Sequence, residues 1–141
     1  MATATLSNHF RYMLATKKID FANDAFILIL MIDSFVFNPD THATLADVTT
    51  SQLSTGNGYT QFNKSLAGVS VSEDDAADRC IITWDDATWT ASGGSIGPTQ
   101  TAIIIDDTTA DNTVVGCIVG DLIVTAPAGK SLSVRDIEVR I

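Results

Sequence analysis

The sequence predicts a mainly β domain, a β-sandwich-like fold of about seven or eight strands with one N-terminal helix. Three observations carry this. After Gly56, short apolar or alternating stretches recur, each bounded by Gly, Pro, Asp or Asn. Before it lies an unbroken apolar run, Phe26-Ile27-Leu28-Ile29-Leu30-Met31-Ile32. Only one segment, Asn8 to Lys18, spaces its apolar residues as a helix does.

The elements follow in order. Residues 1–6 are small and polar with little to bury, and read as a flexible N-terminal arm. Residues 7–141 form a single β-rich domain, since no linker or repeat divides them. Ser7 is placed to cap a helix whose stripe runs through Phe10, Met13, Leu14 and Lys17. Ala25 to Ile32 lacks alternation, which predicts a central strand buried on both faces. Asn38-Pro39-Asp40 is a turn, Thr44 to Val48 a helical turn, and Gly56-Asn57-Gly58 a loop needing positive φ. Strands are expected at Ser65 to Ser72, Arg79 to Trp84, Thr101 to Ile105, Thr113 to Val119 and Leu122 to Thr125. The last runs from Ser131 to Ile141, with a bulge where its phase changes near Asp136. Trp84 falls in phase with Cys80 and Ile82 and is a core residue.

Composition excludes several classes. The 141 residues suit one domain, and 45% hydrophobic with only 18% charged residues is a globular balance. The formal charge of −9 comes with eight scattered Lys and Arg, so neither nucleic acid nor an anionic membrane is an expected partner. The apolar run is far shorter than the ~20 residues a membrane helix needs. No signal peptide pattern opens the chain, so folding in a cytosol is expected. Cys80 and Cys117 stand in no metal-binding spacing and read as buried free thiols, with a bridge between them left open.

No catalytic motif emerges, and no cofactor or metal is implied. Ala128-Gly129-Lys130-Ser131 resembles the end of a phosphate loop but lacks the earlier Gly and the following helix, so a turn is expected. The clusters at Glu73 to Asp78, Asp85-Asp86 and Asp106 to Asp111 are turn chemistry, with calcium as the lesser reading. His9 and His42 have no nucleophile motif beside them. Tyr59 and Trp89 border loops and would be the candidates for a glycan contact if exposed.

A series of motifs occurs in a recognisable order. It comprises Phe10 to Asp20, Phe26 to Asp33, Gly58-Tyr59-Thr60, Leu66 to Val71, Asp85-Asp86 with Thr88-Trp89, and Ile103 to Thr108. This order resembles a family of small virion structural proteins of tailed bacteriophages, called head decoration, cement, head-fibre or tail-associated proteins. The chain departs from it after Thr60, with Gln61-Phe62-Asn63-Lys64 in place of a Gly-Gly pair. The resemblance implies a capsid decoration or cement protein, made in the host cytoplasm and bound to the exterior of the virion head. Its partners would be the major capsid protein and further copies of itself, as a trimer. The arm residues Ala2, Thr3, Ala4, Thr5 and Leu6 would order on the capsid. The alternative is a tail, baseplate or fibre-knob module touching host glycans through Tyr59 and Trp89.

Overall fold

A computed structural model describes residues 2–141, the side chain of Ala2 excepted. The elements in chain order are β1 (Ala2–Thr3), β2 (Thr5–Leu6), α1 (Asn8–Ala15), β3 (Phe26–Leu30), α2 (Leu45–Val48), β4 (Lys64–Ser65) and β5 (Ser70–Asp74). There follow β6 (Arg79–Thr83), β7 (Ala87–Thr90), β8 (Ile96–Asp106), β9 (Thr113–Ala126), β10 (Ser131–Val134) and β11 (Ile137–Arg140). Three of these strands, β1, β2 and β4, are two-residue pairings, so the eight longer strands meet the expected number.

The strands form a five-stranded sheet in the order β2-β9-β8-β3-β4, a four-stranded sheet β1-β11-β6-β5, and the pair β10-β7. β3 lies inside the larger sheet and is buried along its whole length. Its alternate residues enter two separate cores. Phe26, Leu28 and Leu30 join Trp84, Ile82 and Val139. Ile27, Ile29 and Met31 join Val48, Ile103 and Val114 on the other face. A run without polar alternation is what a strand covered on both sides requires.

Ser7 caps α1 as expected: its Oγ accepts the Phe10 amide at 2.9 Å, while its hydroxyl donates to the Val114 carbonyl at 2.6 Å. The helix stops at Ala15, short of Lys18. There the Thr16 hydroxyl donates to the Tyr12 carbonyl, and Lys17 turns to a left-handed φ of 61°. At the Gly56-Asn57-Gly58 turn all three residues have positive φ. A Cβ on Gly58 would also collide with the Thr90 carbonyl, so glycine lets the turn lie against β7.

Four expectations need correction. The N-terminal arm is not free. β1 pairs in parallel with β11, β2 pairs antiparallel with β9, and Leu6 is buried; Met1 lies outside the described residues. Thr5 and Leu6 complete a sheet edge that would otherwise leave β9 unpaired there. Second, Ser65 to Ser72 is not one strand. Gly68 takes φ 68°, and the chain crosses from the five-stranded sheet at β4 to the four-stranded one at β5. Third, Gly120-Asp121 does not end a strand, because β9 continues through it to Ala126; likewise β8 begins at Ile96, ahead of the expected Thr101. Fourth, the terminal strand divides at Asp136, where φ is 53°. β10 pairs with β7 and β11 with β6, so the phase change is a switch of sheet.

Candidate protein-docking surface

The long hairpin of β8 and β9 is unlike the other strands. Residues 113–118 of β9 are buried, and the next seven are exposed until Ala126. The register explains the change. Ala102 faces Ile118 and Thr101 faces Val119, but Thr99 then faces Val124. Residues 120–123 of β9 therefore stand opposite the single residue Gln100, a wide bulge that pushes the chain off the sheet. The Gln100 side-chain amide holds its root, donating to the Gly120 carbonyl at 2.9 Å.

The bulge is apolar where solvent would favour polar groups. Val119 is 56% exposed, Leu122 73%, Ile123 55% and Val124 45%. Three consecutive exposed apolar residues, Leu122, Ile123 and Val124, with Val119 just before the Gly120-Asp121 pair, mark an interaction surface more often than an isolated exposed leucine does. Beside it opens a cleft of about 300 Å³, with Leu30, Ala102, Ile118, Leu132, Val134 and Arg135 among the residues that line it. Gly97 fixes the base of the hairpin. It has φ 115°, and a Cβ there would lie 2.7 Å from the Val124 carbonyl oxygen. Only glycine fits where β8 and β9 approach so closely.

The residues singled out from sequence lie elsewhere. Tyr59 and Trp89 are brought together, with ring centroids 6.0 Å apart, but both are buried, so neither is an exposed glycan platform. The Tyr59 hydroxyl accepts the Leu30 amide at 3.0 Å and donates to Gln52 at 2.8 Å, and burial pushes its pKa up to about 12. Trp89 points inward because β7 alternates Ala87 and Trp89 into the core, with the Lys64 ammonium 5.3 Å from its ring centre. Trp84 is core, as its phase indicated. Ala2, Thr3, Ala4, Thr5 and Leu6 lie along the two sheets rather than projecting from them. The bulge escaped detection because a Gly-Asp pair between two apolar stretches is the ordinary signature of a turn.

Cys80 and Cys117 are both free thiols, in different sheets; Cys80 is only partly buried, whereas burial pushes the Cys117 thiol up to about 12. Among the described residues, no group of three or more His, Cys, Asp or Glu side chains is placed to hold a metal ion. Asp20 and Asp106 instead accept backbone amides two residues on, from Ala22 and Thr108. The Asn23 side chain donates to Asp20 and helps hold its carboxyl below the usual range. Gly129 and Lys130 form a turn that leads from β9 to β10. No helix of the described residues is long and apolar enough to cross a membrane.

No protein-family model, curated protein or solved structure matches this chain.

Proposed function

We propose that this chain is a tailed-phage virion structural protein, a decoration or cement protein that binds the outer surface of the head and stabilises the shell. The observation that carries the reading is the exposed apolar bulge Val119 to Val124 beside an apolar cleft, on a strongly acidic β domain. The order of motifs from Phe10 to Thr108 supports it independently. The partner is the major capsid protein, and the working unit is a homo-trimer. Attachment is assigned to the bulge, because Ala2 to Leu6 already pair within the domain. Burying a Leu, Ile or Val side chain contributes roughly 1.5–3 kcal/mol each, and this gain exists only where the shell supplies the opposing surface. Joined across neighbouring capsid subunits, such contacts make disassembly costlier without altering the free protein. The reading needs no catalytic residue, cofactor, nucleic acid or membrane.

The test is binding to purified heads that lack the chain. The wild type should bind to saturation, and a Leu122→Ser, Ile123→Ser double variant should bind far more weakly while melting at the same temperature. Equal binding by the variant would remove the bulge from the attachment surface. Failure of the wild type to bind heads would end the decoration reading itself.

A further inference from the structure

We propose that a second cleft, lined by the segment that follows β3, the loop of residues 53–59 and the start of β8, is a binding site for a neutral saccharide. It measures about 330 Å³. That is the lower end of the range for small-molecule sites and gives room for roughly one or two sugar rings. Three of its lining residues, Leu53, Tyr59 and Ile96, belong to the buried core. Ile32 and Pro98 add exposed apolar surface. Asp33, Ser54, Thr55, Asn57 and Ser95 are exposed polar groups on the same cleft. It shares no lining residue with the cleft beside the bulge, so a ligand here leaves the docking surface free.

The loop is held in shape by its own hydrogen bonds. Gly56 and Tyr59 exchange amide–carbonyl bonds at 2.8 and 3.0 Å, and the Ser92 amide donates to the Asn57 carbonyl at 3.0 Å. The Thr55 hydroxyl oxygen accepts the Gln61 amide at 3.1 Å. The Asn57 side-chain amide donates to the Ser95 carbonyl at 3.1 Å, which fixes its orientation and leaves Oδ1 to accept from a ligand. A Cβ on Gly94 would lie 2.7 Å from the Asn57 carboxamide, so glycine lets the chain close over that side chain. Polar groups ordered beforehand cost less entropy when a ligand binds.

The lining selects the class of ligand. Among the described residues that line the cleft none is Lys, Arg or His, so an anion finds no charged partner. Asp33 is the one carboxylate among them, too few for a divalent cation that takes six or more oxygens. A wholly apolar ligand would strip water from the carboxylate, carboxamide and hydroxyls and return no hydrogen bonds. A sugar ring satisfies both kinds of surface. Its C–H face can lie on Ile32 and Pro98, while its hydroxyls donate to the Asp33 carboxylate and Asn57 Oδ1 and accept from the Ser54 and Ser95 hydroxyls.

NMR shift mapping on the isotope-labelled full chain tests this, with glucose, galactose, mannose and N-acetylglucosamine as probes. At least one should shift the amides of Ser54, Thr55, Asn57 and Ser95 saturably, with Kd on the order of 1 mM. Asp33→Ala should weaken that binding about tenfold, through loss of a charged acceptor. Its melting temperature should not change, since Asp33 is exposed and in no ion pair among the described residues. Asn57→Gly accepts the φ of 56° without the carboxamide and should weaken binding about threefold or more. Wild-type affinity in either folded variant would overturn the proposal. So would the absence of saturable shifts at these amides with all four sugars, or equal shifts with glycerol, which would mean an unselective polyol contact. Saturable shifts with butylammonium chloride and none with the sugars would overturn it in favour of an amine site. Should Asn57→Gly fail to fold, Asp33→Ala decides.

Discussion

Tyr59 shows how a loop aromatic becomes a structural pin. Its hydroxyl satisfies the Leu30 amide of the central strand and reaches Gln52, whose Oε1 also accepts the Phe62 amide. Tyr59→Phe would leave that buried Leu30 amide without its acceptor, so a loss of about 1–3 kcal/mol is expected in denaturant unfolding. Glycan arrays should give the same signal before and after the change, since the ring is not at the surface. The thiols offer a second check at this scale. Cys117 is buried with a raised pKa, whereas Cys80 is partly accessible. Under native conditions a thiol reagent should label Cys80 well before Cys117, as peptide mass mapping would read; preferential labelling of Cys117 would contradict the placement of β9.

Among the elements, the N-terminal pairings and the β9 bulge carry the most consequence. Deleting residues 2–6 removes two strand pairings and the buried Leu6 side chain, which alone is worth roughly 1.5–3 kcal/mol. The truncated protein should melt several degrees lower; an unchanged melting temperature would mean the segment is a free arm after all. Gly97→Ala should destabilise as well, through the positive φ and the contact with the Val124 carbonyl. These elements also mark the limits of legibility. β3 and its double burial could be read from seven consecutive apolar residues, and the α1 cap from Ser7, because both are local patterns. The arm could not, because Ala-Thr-Ala-Thr has no hydrophobic period and is ordered only by the strands it meets from the far end of the chain. The bulge was missed for the same reason: whether Gly120-Asp121 turns the chain or bends a strand depends on Gln100 across the hairpin. Tyr59 and Trp89 could be recognised as aromatics near turns, but their burial follows from how the Gly58 turn is laid on β7.

For the molecule as a whole, acidity and fold act together. Asp106 sits above its ordinary pKa, so its contribution declines as pH rises from about 4 through about 7. Asp20, Asp47 and Asp111 sit below theirs through the hydrogen bonds they accept; their contributions are present above about 4 and are lost in stronger acid. The net charge of −9 adds self-repulsion that grows with pH. Stability should peak in mild acid, near pH 5, rather than at neutrality, and melting curves across pH would show it. Among the described residues, the exposed apolar side chains of the bulge lie beside the cleft, and this is the surface that the proposed protein partner would cover. A decoration role puts that surface against the outside of the head. Virions separated into heads and tails, with this chain quantified in each by mass spectrometry, test it most directly. Many copies in the head fraction, matching a regular fraction of the capsid subunits, is the result expected of a decoration protein. A few copies confined to the tail fraction would contradict it.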